Sequence, residues 1–219
     1  MTEQSLHEQL KEIYSEEKYP VEAAVDDYII DVLRQDTLIE IQTGSFSAIK
    51  EKLHNLIYEH KVRLVHPVPY LKWIIRLNEE GEKVGRRKSP KKGRVEEVFY
   101  ELVYIPSLCC HDNFELEIPL VNIEEYWIDD GKGSWRRGKW SIHDRKLLHV
   151  QSNHVFKNEH DFLQLLPTNL PRKFTSWELK KETGLTKALS QKMLYCLRKM
   201  NLLEVTGKKG RSYLYSVSL

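Results

Sequence analysis

IDVLRQDTLIEIQTGSF, residues 30–46, decides how the rest of the chain is read. Two short apolar runs flank Gln35-Asp36, a polar pair suited to a turn. Asp31 interrupts the first run, and Glu40 and Gln42 interrupt the second, so a hairpin with the composition of a buried one carries two carboxylates. With Gln35-Asp36 as a two-residue turn, Arg34 faces Thr37 and Asp31 lies opposite Glu40. A four-residue turn keeps that register, whereas a three-residue loop puts the carboxylates on opposite faces. In the first register their Cβ atoms stand about 4.5–5.5 Å apart, and Gln42 shares their face. Like charges so placed repel. Solvation, a shared proton or a bound divalent cation would relieve them.

The flanking segments read as regular elements. Ser5-Leu6-His7-Glu8 fits a capping box, and Leu6, Leu10, Ile13 and Tyr14 recur at helical spacing, which predicts a helix over 5–17 that Pro20 closes. Residues 21–25, 28–33 and 37–43 read as strands. Ser45 caps a second predicted helix, running to about residue 60, with Phe46, Ile49, Leu53, Leu56 and Ile57 on one face. Apolar strands follow over 62–68 and 71–77, with Pro67 and Pro69 breaking the chain between them. This order predicts an α/β (α+β) fold with a mixed αβββαβ sheet.

Composition narrows the function class. No stretch approaches the roughly 18 uninterrupted apolar residues of a membrane span, and no basic start precedes an apolar run. The expectation is a soluble, cytoplasmic chain with no membrane partner. Three cysteines, two of them adjacent, point to reduced thiols. Cys109-Cys110-His111 has no second ligand cluster to complete a metal site, so it reads as partly buried thiols. The net charge of +2 hides an asymmetry: residues 1–80 hold 9 Lys/Arg against 15 Asp/Glu, residues 81–170 hold 14 against 14, and residues 171–219 hold 11 against 3. A basic module at one end suits nucleic acid, with a solvated basic face as the plainer alternative.

Two basic segments lie between. EKVGRRKSPKKGR (82–94) carries Arg86, Arg87, Lys88, Lys91 and Lys92 and reads either as a linker or as a phosphate-contacting loop. GKGSWRRGKW (131–140) sets Arg136 and Arg137 between tryptophans, a pattern that suits either nucleic-acid stacking or a cation–π packed surface. Residues 95–105 read as helix and 115–128 as strand, and the rest of 95–170 matches no motif.

From Phe174 the pattern becomes helix, Gly184 turn, helix and basic hairpin. TSWELKKETG gives the first helix, Leu189, Met193, Leu197 and Met200 mark the second, and strands over 202–205 and 212–217 flank the tip 206–211. Residues 172–219 resemble a winged helix-turn-helix domain. That resemblance makes Lys187, Ser190, Gln191, Tyr195 and Arg198 base- or phosphate-facing and sets Lys208, Lys209 and Arg211 along the wing. Protein interaction or dimerisation is the alternative use of such a domain.

The order of elements around Asp31 and Glu40-Ile41-Gln42 resembles the PD-(D/E)XK phosphodiesterase superfamily, whose restriction-endonuclease-like fold includes archaeal Holliday-junction resolvases. The likeness covers residues 5–77. It implies that Asp31 and Glu40 bind Mg²⁺ or Mn²⁺, that Gln42 stands where the family most often has Lys, and that Glu8 takes the acidic position of the first helix. The implied organisation is a nuclease core at 1–80, an extension at 81–170 and a DNA-binding winged helix at 171–219. Its partner would be DNA, duplex or branched, and a homodimer is compatible with it. The competing expectations are a non-catalytic DNA-binding or regulatory protein with an inactive nuclease-like domain, and a protein-interaction module.

Overall fold

The computed structural model describes residues 4–218. Helix α1 (Gln4–Ser15) is followed by strands β1 (Val21–Val25), β2 (Tyr28–Arg34) and β3 (Thr37–Ile41). A single 3₁₀ turn, Phe46–Ala48, precedes α2 (Lys50–Leu56). Strands β4 (Lys61–Val65), β5 (Val68–Leu77) and β6 (Lys83–Lys88), the short helix α3 (Phe99–Leu102), and strands β7 (Phe114–Ile128) and β8 (Ser141–Phe156) complete the first three-quarters of the chain. Helices α4 (Ser176–Thr183) and α5 (Lys187–Lys199) and strands β9 (Leu203–Lys209) and β10 (Ser212–Val217) follow. The α/β expectation holds: eight strands form one mixed sheet in the order β1-β2-β3-β4-β7-β5-β6, with β8 on β7.

The chain divides into two compact units. One comprises Met1–Thr43, Leu64–Val95 and Glu117–His154; the other comprises Gly44–Arg63, Glu96–Leu116 and Val155–Leu219. In the first, Leu6, Leu10 and Tyr14 on one side of α1 pack against Val32, Ile39, Ile41, Val65, Val121 and Ile123 of the sheet. The helical spacing of the first set and the alternation of the second define this core. Tyr14 also reaches a polar target, donating to the buried Glu117 carboxylate at 2.6 Å, which Asn153 contacts at 2.8 Å.

Ser5 does not cap α1. It lies inside the helix, and its hydroxyl donates to Asp144 of β8 at 2.6 Å, so a long-range acceptor takes the place of the local N–H donor that a cap would have. The segment 82–94 is not wholly a linker either. Its first half is β6, antiparallel to β5, with Trp73↔Lys88, Ile74↔Arg87 and Ile75↔Arg86 in register. Basic composition hid a strand whose cationic groups lie over tryptophan faces: the Arg86 guanidinium and Lys88 ammonium sit over Trp73 at 5.4 Å, and the Arg87 guanidinium over Trp127 at 5.9 Å. The hairpin closes through Asn78, whose side-chain oxygen accepts from the Glu82 N–H at 2.7 Å, and Gly81 at φ +83°. Pro69 lies within β5, where the register against β7 shifts between Pro69 and Leu71, and the Asn122 amide oxygen takes the Leu71 N–H.

In the second unit, Phe46, Leu53, Leu56 and Ile57 are buried as their spacing predicts, although the predicted single helix is a 3₁₀ turn holding Phe46 followed by the shorter α2, which ends before Ile57. Residues 174–218 form α4, a turn at Gly184 (φ +71°), α5 and the β9–β10 hairpin, with Phe174 bridging antiparallel to Tyr215.

Candidate active site

The hairpin adopts the register of a two-residue turn at Gln35-Asp36. Pairing runs from Arg34↔Thr37 through Leu33↔Leu38 to Val32↔Ile39, and the left-handed Gln35 (φ +53°) closes the turn. One step further the ladder stops. The Ile41 N–H donates to Asp31 Oδ2 at 2.7 Å, and the Gln42 N–H donates to the Val65 carbonyl at 2.9 Å. A side-chain carboxylate thus takes a strand donor that would otherwise seek a backbone carbonyl, in a short charge-assisted bond. Glu40, the residue between Ile39 and Ile41, lies beyond the last β2–β3 pair and is only 5 % exposed.

Helix α1 brings a further residue that the pattern did not mark. His7 Nε2 stands 3.2 Å from Asp31 Oδ1, and its Nδ1 stands 3.5 Å from Glu8 Oε1. The hydrogen bond to Asp31 raises the imidazole pKa above its ordinary value, against the burial that pulls it down. A protonated imidazole donates from both nitrogens, so His7 can bridge the two carboxylates. Glu8 is 54 % exposed and takes Lys11 Nζ at 2.9 Å, which is the main cause of its lowered pKa. Glu8 therefore joins the cluster through His7. Gln42 follows β3 directly, and its carbonyl accepts from His66 Nδ1 at 2.6 Å.

Asp31, Glu40 and Gln42 offer hard oxygen donors only, which suits Mg²⁺ or Mn²⁺ and not a thiophilic ion. Among the described residues no group of three or more His, Cys, Asp or Glu side chains could hold a metal ion. A cation held by these two carboxylates would therefore keep several of its waters. The cysteines take no part: Cys109 and Cys196 are buried, and burial pushes the Cys196 thiol up to about 12.

The C-terminal elements order the remaining basic residues. Lys187, Gln191, Tyr195 and Arg198 are exposed along one face of α5. Ser190 is not among them. It is wholly buried and donates to the Thr186 carbonyl, so it cannot face a ligand. Lys208 lies over Tyr213, Arg211 lies at the hairpin tip, and Lys209 is tied to Glu178 at 2.8 Å. Glu178 also completes the α4 capping box with Thr175. The Lys209 and Thr175 hydrogen bonds lower its pKa from 4.5 to about 2. A depressed carboxylate contributes stability that is complete above its unfolded pKa and is lost as pH falls through the folded value. Wild type is therefore expected to melt above Glu178→Gln at pH 6. The difference should shrink between pH about 4.5 and about 2 in thermal scans, and a pH-independent difference would contradict this link between hairpin and helix.

Residues 131–140 form an ordered turn. Gly133 N–H donates to Lys139 O at 2.7 Å, Ser134 accepts from Arg136 N–H, and Arg137 Nε reaches Trp140 O at 3.2 Å. A Cβ at Gly133 would stand 1.8 Å from the Trp140 carbonyl oxygen. Gly133→Ala is expected to open this turn and cost about 2 kcal/mol, the range of an overpacked site. Limited proteolysis should detect new cleavage within 131–140, and an unchanged pattern with unchanged melting would refute the clash. Lys91 and Lys92 follow β6, Lys92 lying 5.7 Å over Tyr70.

The fold and these contacts define a mixed α/β protein with a helix-facing carboxylate hairpin, a basic strand pair and a basic helical tail. Residues 4–157 match the family described as "Domain of unknown function (DUF8091)", and the chain belongs to that family. It is also similar to an "Uncharacterized protein" of Treponema pallidum (strain Nichols), 35 % identical over 214 residues that make up 97 % of this chain and 84 % of the relative. No solved structure matches the chain.

Proposed function

We propose that this chain is a metal-dependent DNA nuclease of the PD-(D/E)XK type, an endonuclease whose winged-helix tail positions its substrate. The observation that carries this reading is the place of Asp31: its carboxylate takes the Ile41 N–H just past the last β2–β3 pair, on the strand pair that carries Glu40, and stands beside His7 of α1. Mg²⁺ or Mn²⁺, held by Asp31 and Glu40, would supply Lewis-acid polarisation of the phosphodiester and a more acidic water. The chain's own groups set the geometry. The Ile41 N–H fixes one oxygen of Asp31, His7 provides positive charge beside the other, and the Gln42 side chain is an uncharged hydrogen-bonding group where a lysine is usual. The exposed α5 face and the β9–β10 tip hold DNA electrostatically.

The test is cleavage of duplex, single-stranded and four-way-junction DNA with Mg²⁺ or Mn²⁺. Wild type should cut at least one substrate, and Asp31→Asn and Glu40→Gln should bind it without cutting.

The second reading, a DNA-binding protein without catalysis, rests on one specific feature. Both Asp31 oxygens already meet donors of the protein, and Gln42 carries no charge. Binding without metal-dependent cleavage on every substrate would establish it.

A further inference from the structure

Beyond the residues that α1 covers, strands β5, β6 and β7 continue the same sheet face with a stretch outside the β2–β3 hairpin. Direct pairing puts Ile74 opposite Arg87 on one side and opposite Glu125 on the other, and Arg76 opposite Trp127. These side chains share a face because paired residues point the same way across a sheet. Arg87 lies 5.9 Å over Trp127, and Arg76 lies 5.3 Å over Trp140, which joins the 131–140 turn to this face. Both arginines are exposed, and neither pairs with a carboxylate among the described residues. Most other cations of the sheet are matched: Lys72 and Arg145 meet Glu125, and Arg86 meets Glu124. At the edge of the face the ordered turn holds out Trp135, 80 % exposed, with Arg136 5.7 Å over its ring.

A guanidinium that stacks on an indole keeps its N–H edge for an anion, and a planar fork suits phosphate. A largely exposed indole on a hydrogen-bonded turn exposes apolar surface at a cost unless a flat apolar partner covers it. Bases that are free of a duplex provide such partners, and the phosphates between them provide the anions. Bases stacked within a closed duplex do not.

We infer that this face binds a single strand of nucleic acid, on the DNA-processing reading above an unpaired DNA strand, with bases stacked on Trp135 and phosphates on Arg76, Arg87 and Arg136. It uses none of the α5 residues, and it gives the protein a preference for DNA with unpaired segments.

Fluorescence anisotropy of the full chain tests it, with a labelled oligothymidylate of about 16 nucleotides, the upper end of one module's site size, and with a matched duplex. EDTA is present throughout, so binding is read independently of cleavage. Trp135→Ala, whose ring packs on almost nothing, should weaken oligothymidylate binding about tenfold, one stacked base's worth. Arg76→Gln/Arg87→Gln should lower the slope of log K against log salt by about 1.4, two single-strand phosphates. Lys187→Ala/Gln191→Ala should weaken the duplex and spare the oligothymidylate. Unchanged oligothymidylate binding in Trp135→Ala and in the double arginine variant overturns the proposal, and so does an equal loss for the duplex. A wild type that never cleaves but shows these binding differences would remove the nuclease reading and leave the strand surface standing.

Discussion

Asp31→Asn is expected to abolish metal-dependent cleavage, by about a thousandfold or more, while the protein keeps its fold and its affinity for DNA. The magnitude follows from the role proposed for the carboxylate: polarisation of a phosphoryl oxygen contributes several kcal/mol, and each 1.36 kcal/mol is tenfold in rate. The choice of Asn separates chemistry from architecture. An asparagine oxygen still accepts the Ile41 N–H that Asp31 accepts at 2.7 Å, so the end of the β2–β3 ladder is preserved. What disappears is the charge and, because the single Asn oxygen is held by the Ile41 N–H, the hydrogen bond to His7 that is the main cause of its raised pKa. An NMR titration of His7 should therefore move towards the ordinary histidine value in the same variant. Asp31→Ala differs, because it also orphans a strand N–H at a cost of about 1–3 kcal/mol. If Asp31→Asn cuts as well as wild type, Asp31 is a structural ladder stop. If wild type and variant both bind DNA and neither cuts, the non-catalytic reading leads.

The part of the site made by neighbours in sequence was legible, and the part made by packing was not. Alternation of apolar residues on either side of Gln35-Asp36 fixes the register that pairs Val32 with Ile39, because a slip of one residue would turn both out of the core. The α5 stripe was equally readable from its spacing, except at Ser190, where a small polar residue fits the buried side of a helix by returning its hydroxyl to the backbone. His7 carried no signal. Its importance comes from α1 crossing β2, a tertiary apposition that no local pattern encodes. Ser5 failed for the same reason, its acceptor being 139 residues away. The strand β6 was hidden by composition: lysines and arginines read as solvated loop, yet their cationic groups lie over Trp73 and Trp127 from an edge strand. Basic residues are common on edges, where they discourage further pairing.

Glu125→Ala is expected to cost about 3 kcal/mol in stability, the largest loss from any single polar substitution in the sheet. Glu125 lies on β7 with its side chain only 3 % exposed. It accepts Lys72 Nζ from β5 at 2.9 Å, Arg145 Nε from β8 at 3.0 Å and the Trp127 indole N–H at 2.8 Å. One carboxylate thus joins three neighbouring strands, and burial alone already lowers the Arg145 pKa. Removing one partner of a buried ion pair costs about 3–5 kcal/mol because the remaining charge stays desolvated. The lower end applies here, since Lys72 and Arg145 keep 29 % and 22 % of their side-chain surface in water. For a chain of this size that amounts to a fall in melting temperature of about 10 °C. Glu125→Gln keeps an oxygen for the Trp127 indole and should fall between the two. Thermal unfolding of the three proteins gives the order wild type, Gln, Ala; a shift below about 2 °C for Ala would show that the cations find other acceptors. Trp127 and Glu125 share a face with Arg76 and Arg87, so Glu125→Ala should also loosen the arginine stack and weaken oligothymidylate binding, at temperatures where the protein remains folded.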